Sequence, residues 1–333
     1  MIRRVTVATT VLLAGFLASP DVARADAPGP TDYRSEITQV ATADGSPLPT
    51  GFVISVEGHD SFLLLSVEPG STAEVPGYEG EPYLRFDADG SVFENRLSFS
   101  TIYNQDRYGS AERPDYTDHS AEPEWIRVDD DGSYAWHDHR IHYMDPRPPI
   151  GAQPGDVIIE TSVPIQIDGV TIEVKVESTL LESNSPIAMI AVSALIAFGG
   201  GLLLLRRLPV SLAWVAVASA LTAFAAGLGW FLSVPSDTDP SLNWLLLPAT
   251  GAIAAGFALI AARRGRAFLA NGSALVAAVQ LAMWLPDRLG SYEAALIPTA
   301  LPHWLDRGMT ATLVGATIAL FSGAVAGLIR ISR

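Results

Sequence analysis

Five stretches in the second half of this 333-residue chain contain no Asp, Glu, Lys, Arg or His, and they limit its possible folds more than any other feature. They run from Ile187 to Leu205, Leu208 to Val234, Trp244 to Ala262, Ala267 to Leu285 and Met309 to Ile329. A helix rises about 1.5 Å per residue, so each stretch can cross the roughly 30 Å of a bilayer's hydrocarbon core. Residues 186–333 therefore read as a transmembrane domain of five helices. The polar remainder of the chain must form a body of its own.

The charges between these stretches orient them. Arg206 and Arg207, then Arg263, Arg264 and Arg266, then Arg330 and Arg333 fall at alternate ends of successive spans, so all can be cytoplasmic at once. The preceding domain and the connectors Ser236–Asn243 and Pro286–Gly308 are then outside, with Asp237, Asp239, Asp287, Glu293 and Asp306. The amino terminus agrees. A basic Met1-Ile2-Arg3-Arg4, a short apolar Val5–Leu17 and a small-x-small Ala23-Arg24-Ala25 make residues 1–25 a secretory signal peptide. The expected location is the plasma membrane, multi-pass, with residues 26–185 extracytoplasmic and the C-terminus cytoplasmic. Within the second outer connector, Ala294–Leu301 is apolar but too short to span and contains Pro298. It reads as an interfacial segment, with Trp304 at the headgroups.

Residues 26–185 hold 30 Asp and Glu against 9 Lys and Arg, so the net charge of −15 for the whole chain conceals a much more acidic outer domain. Nucleic acid is excluded as a partner on that ground. The expected partners are the lipid bilayer and another membrane or secreted protein. The chain has no cysteine, which removes disulfides, thiol nucleophiles and thiolate metal sites together.

From about Tyr33 to Thr179 apolar and polar residues alternate between turn dipeptides, the mark of antiparallel strands. Phe52–Val56 pairs with Phe62–Val67, Tyr83–Phe86 with Val92–Asn95, and Trp125–Val128 with Tyr134–His142 across Asp129-Asp130-Asp131-Gly132. Val157–Ile167 and Val170–Leu180 flank Asp168-Gly169, a pair suited to the positive φ angles of a tight hairpin. In the last strand Ile172, Val174 and Val176 share one face. We expect an exported all-β, immunoglobulin-like sandwich followed by an all-α bundle of five transmembrane helices. The acidic, Pro- and Tyr-rich stretch Tyr103–Glu124 reads as a surface loop able to drape over a site.

The chemistry concentrates in Tyr134–Met144. On a strand through His142, residues two apart share a face, so His137 and His139 project together and Asp138 lies opposite. His142 and Met144 fall on the other face, and His142 joins His137 only if the chain bulges or its strand ends near Ile141. A His-x-His pair presents two imidazoles to one metal. His142, Met144, His59, His119 or nearby carboxylates could complete the set. Imidazole with thioether suits copper, and imidazole with carboxylate suits zinc. The candidate metal ligands are His137, His139, His142 and Met144, and copper or zinc is the expected cofactor.

Asp87-x-Asp89-Gly90 and Asp129-Asp130-Asp131-Gly132 lack the further oxygens of a calcium loop and read as hairpin turns. No Gly-x-Ser-x-Gly, His-Glu-x-x-His, phosphate loop or dinucleotide fingerprint appears, and an enzyme is not expected. The apolar spans lack the ionisable residues of an ion or proton pathway, so they read as an anchor or interaction surface. Ala319, Gly323 and Gly327 give the last helix a face of small residues on which another helix can pack.

The order of signal peptide, hairpin-rich domain with Glu-Pro-Glu-Trp at 122–125 and Trp-His-Asp-His-Arg at 136–140, and then membrane helices resembles uncharacterised polytopic membrane proteins of high-GC Gram-positive bacteria. The architecture is also similar to copper-handling fusions of CopC-like sandwiches with CopD-like helices. That resemblance implies copper binding, although the N-terminal and intramembrane histidines of those proteins have no counterpart here. The expected function is to bind or sense a transition metal outside the membrane. Alternatives are a scaffold protein with structural histidines or a non-catalytic transporter subunit.

Overall fold

The computed structural model describes residues 28–145, 147–205 and 209–332. The signal peptide reading of residues 1–25, and Arg206, Arg207 and Arg333, lie outside the described residues. Ten antiparallel strands build the first domain: β1 (Tyr33–Thr42), β2 (Phe52–Glu57), β3 (Phe62–Val67), β4 (Ala73–Pro76), β5 (Pro82–Phe86), β6 (Val92–Asn95), β7 (Trp125–Asp129), β8 (Ser133–His137), β9 (Val157–Ile167) and β10 (Val170–Leu180). One sheet has the order β1-β10-β9-β4-β5-β6-β7 and the other β2-β3-β8. Between them lies a core of Leu63, Leu65, Val75, Phe86, Trp136, Ile165, Ile172 and Val174. The alternation in β10 places Ile172, Val174 and Val176 in that core with no exposure, each side chain contributing roughly 1.5–3 kcal/mol of burial. Asp168 and Gly169 both take positive φ, 49° and 78°, and close the β9–β10 hairpin.

Two local expectations are overturned here. Trp125–Val128 and Tyr134–His142 do not pair. β7 joins the large sheet beside β6 while β8 joins β3 in the small one, so the Asp129–Gly132 turn carries the chain from one sheet to the other. Gly132 makes that step with φ of 76°, and a Cβ there would sit 2.7 Å from the Val67 carbonyl oxygen. Nor does the strand reach His142. It ends at His137, and a turn follows.

On β6, Glu94 is packed against the Tyr83 and Thr101 side chains. Burial raises its carboxyl to about 7, against the lowering effect of those two hydrogen bonds. The folded state therefore binds this proton more tightly than the unfolded chain does. The associated stability is present below about pH 4.5 and is lost as pH rises through about 7. At about 1.4 kcal/mol per pKa unit, Glu94→Gln is expected to stabilise the domain by about 1–3 kcal/mol at pH 8 and by almost nothing at pH 4. Chemical denaturation at the two pH values checks this, and an equal effect at both would contradict it.

A short helix, α1 (Phe99–Tyr103), interrupts the sandwich. Past it come α2 (Ile187–Leu205), α3 (Pro209–Phe231), α4 (Asn243–Arg263), α5 (Ala267–Trp284) and α6 (His303–Ser332), five helices long and apolar enough to cross a membrane. Their core is built from small residues, among them Ala216, Ala223, Ala255, Ala274 and Ala277, all fully buried. In lipid, where apolar contact alone gives helices no reason to associate, small side chains let backbones approach. The small face of α6 packs inside the bundle: Ala319 meets Gly200, Gly323 meets Leu204 and Leu212, and Gly327 meets Asn271.

The last helix begins at His303 rather than Met309, so Asp306 lies within it. It is fully buried at the sandwich-facing end of the bundle, 2.5 Å from Arg288 Nη2. Thr299 donates to its second oxygen, at 2.9 Å. Arg288 lies between the rings of Trp230 and Trp284, 4.1 and 4.7 Å from their centroids. Paired in this way the charges no longer end the helix, which is why a boundary read from the first charged residue falls short.

The sandwich rests directly on the bundle. Thr31 and Leu296 exchange both backbone hydrogen bonds at 3.0 Å, a single antiparallel rung between the domains. The Asp32 carboxylate accepts from the Ala295 amide (2.7 Å) and the Ser183 hydroxyl (2.6 Å), and the Asn184 side-chain amide donates to the Ala294 carbonyl. The apolar segment Ala294–Leu301 is thus covered by protein at Ala294, Leu296 and Ile297, while Trp304 is exposed.

Candidate metal centre

Asp138 decides where β8 stops. Its Oδ1 accepts the backbone N–H of Arg140 at 3.0 Å and its carbonyl accepts that of Ile141 at 3.1 Å, an aspartate turn that competes with strand pairing. The carboxylate is fully buried, taking the Arg140 guanidinium on both oxygens (2.8 and 2.6 Å) and the Trp136 indole N–H (3.0 Å). Burial opposes its charge, but Arg140 outweighs that and holds the carboxyl below the usual range. Tyr78 completes the turn by accepting the His139 backbone N–H at 2.9 Å.

The turn rotates His142 back toward His137, meeting the condition under which three imidazoles come together. The ring centroid of His137 lies 4.7 Å from that of His139 and 5.2 Å from that of His142. All three are buried, at 4%, 8% and 3% exposure. Two of them have one nitrogen committed to an oxygen: His142 Nδ1 lies 2.9 Å from Asp60 Oδ2, and His139 Nε2 lies 3.0 Å from the Tyr103 carbonyl. Carbonyls and an ionised carboxylate only accept, so those nitrogens carry the protons. The opposite nitrogens, His142 Nε2 and His139 Nδ1, and Nε2 of His137 are buried with no hydrogen-bond partner.

The electrostatics keep the rings neutral. Burial, then the neighbouring His139 ring and the Arg107 cation, pushes His137 well below the ordinary imidazole value. Burial also lowers His139 and His142, against partial opposition from the Tyr103 carbonyl and Asp60 respectively. Asp60 itself is anionic. Burial would raise its carboxyl, but the Arg107 guanidinium and the His142 bond hold it well below the usual range. Arg107 Nη2 reaches both Asp60 oxygens, at 2.9 and 3.1 Å, and its Nη1 donates to Ser61 Oγ at 2.6 Å. The Tyr103–Glu124 loop therefore does cover the site, through Arg107 and through Tyr103, whose ring lies 4.3 Å from that of His139.

Other candidates stand apart. Met144 is 37% exposed, its sulfur 3.7 Å from Tyr103 Oη. His119 is exposed beside Glu79, and His59 turns to the bundle, 3.0 Å from the Ile297 carbonyl. Beyond Asp60 lying in a hairpin turn, and Tyr103 and Arg107 in a loop able to drape over a site, the sequence does not single out Asp60, Arg107, Tyr78 or Tyr103, because they reach the site only through tertiary packing.

Neutral imidazoles with bare, buried lone pairs, two of them oriented through the other nitrogen by an oxygen, have the donor character of metal-ligating histidines. Among the described residues no group of three or more His, Cys, Asp or Glu side chains is placed so that it could hold a metal ion. The rings would therefore have to move for their bare nitrogens to meet on one ion. No protein-family model matches the chain, and no curated protein and no solved structure matches it.

Proposed function

We propose that this multi-pass membrane protein presents its sandwich outside the cytoplasm, at the plasma membrane, and there binds a transition metal, copper or zinc, through His137, His139 and His142. The observation that carries the reading is the three buried ring nitrogens without partners. Each unsatisfied buried acceptor costs about 1–3 kcal/mol, and one cation relieves all three at once. Copper and zinc both accept imidazole. Met144 is left out of the donor set because it is turned to Tyr103. The burial of all three rings supports binding rather than catalysis. The orientation is supported by Arg263, Arg264, Arg266 and Arg330, which fall at helix ends remote from the sandwich, where cytoplasmic residues belong.

Metal titration of the full-length protein in detergent, beside a His137→Ala/His139→Ala variant, tests this. We expect metal retained through buffer exchange by the native protein, and only background metal in the folded variant. A folded native protein that retains neither copper nor zinc overturns the reading and leaves the histidines as structural groups in a membrane scaffold.

A further inference from the structure

The turn between β2 and β3 faces two ways. Gly58 and His59 both take positive φ, 64° and 71°, a left-handed pair that sends successive side chains to different partners. His59 points to the bundle: its Nε2 lies 3.0 Å from the Ile297 carbonyl, and its ring lies edge-on, 6.0 Å from that of His303, where α6 begins. Asp60 points into the sandwich, holding His142 and Arg107, and also accepts the Thr31 hydroxyl at 3.1 Å. Thr31 in turn is the residue whose backbone pairs with Leu296. A third route runs through Phe62, whose ring meets His137 at 6.0 Å and which packs with Ala135 against Val234, just past α3.

The first two routes end on the 296–303 stretch, and the third on the turn that follows α3. The 291–296 segment is held from the other side by Arg307, which donates to the carbonyls of Ser291, Ala294 and Ala295. Arg307 is the neighbour of Asp306, the partner of Arg288. Rotation of the His142 ring to meet an ion must be accommodated by Asp60, and Asp60 is tied through Thr31 to Leu296. A ligand that favours one arrangement of a shared element shifts that element's equilibrium, and the linkage is reciprocal.

We propose that the 58–61 turn is a transmitter: occupancy of the three-histidine centre is coupled, through Asp60–Thr31 and through His59, to the position of the 291–297 segment and the sandwich-facing start of α6. This rests on the metal-binding reading above and assigns that site an output, the membrane bundle itself.

The test uses full-length protein in lipid nanodiscs, with Zn(II) and Cu(II) as probes and backbone hydrogen exchange of residues 291–307 as readout. His59→Gly keeps the left-handed backbone while removing the ring, and His59→Asn keeps both the backbone and a side-chain donor. Metal is expected to change exchange at Ala294, Ala295 and Leu296 in the native protein. In His59→Gly the change is expected to shrink, with metal affinity altered by about fivefold or more, and His59→Asn is expected to restore both. Thr31→Val, which loses the hydroxyl on Asp60 and with it the acceptor of the Tyr33 backbone N–H, is expected to act like His59→Gly. Metal binding that leaves exchange at 291–297 untouched, or an exchange change of native size in both His59→Gly and Thr31→Val, overturns the coupling while the metal site stands. A native protein that binds no metal overturns both, so the two failures are told apart.

Discussion

Asp60→Asn is expected to weaken metal binding by about tenfold to a hundredfold and to destabilise the sandwich by about 3–5 kcal/mol. The native carboxylate offers two acceptor oxygens and uses both: one takes Arg107 and Ser61, the other takes Arg107, Thr31 and His142. An asparagine has one acceptor oxygen and one donor nitrogen. If the oxygen stays with Arg107, the amide N–H faces His142 and drives its proton to Nε2, the nitrogen that must be bare for a metal. If the oxygen turns to His142, the buried guanidinium faces a donor. Parallel measurement of metal affinity and of denaturant unfolding in the full-length protein checks both halves. A variant of native stability and native affinity would show that Asp60 neither orients the imidazole nor compensates Arg107.

The second large effect lies in the bundle. Arg288→Met is expected to cost about 3–5 kcal/mol, because it leaves the Asp306 charge buried without its cation. Arg288→Met combined with Asp306→Leu is expected to recover most of the loss, since a buried pair replaced by apolar groups of similar volume is often close to neutral. Thermal unfolding in detergent reads the order native, double variant, single variant. A single variant as stable as the double one would mean that Asp306 finds another partner. The pair ties the 3₁₀ turn Pro286–Tyr292 to the start of α6, so its loss should also loosen the platform on which the sandwich rests.

How far the residue pattern reached can be followed position by position. The β9–β10 hairpin was legible because Asp168-Gly169 and the period-two alternation act locally, and the five helices because the requirement for apolar residues in lipid acts on every residue of a span. The β7–β8 connection was not. An Asp-rich turn with a glycine serves a hairpin and a crossing between sheets equally well, and only the competition of β6 and β3 for partners separates the two. The start of α6 differs for a similar reason: the sequence displays Asp306 as a charge, whereas Arg288, 18 residues earlier, removes its cost.

The histidines divide along the same line. Their spacing marked His137 and His139 as a pair, and the chain by itself determined that cluster, the acidic strands and the apolar helices, since each follows from backbone periodicity and transfer from water. Tertiary structure alone decided that the His142 ring lies beside His137, that Met144 turns to Tyr103, and that Asp60 and Tyr103 choose which nitrogen of His142 and of His139 stays bare. Those outcomes depend on hydrogen bonds between residues as far apart as Asp60 and His142, formed only after the sandwich closes and excludes water. Periodicity along a strand carries no information about them.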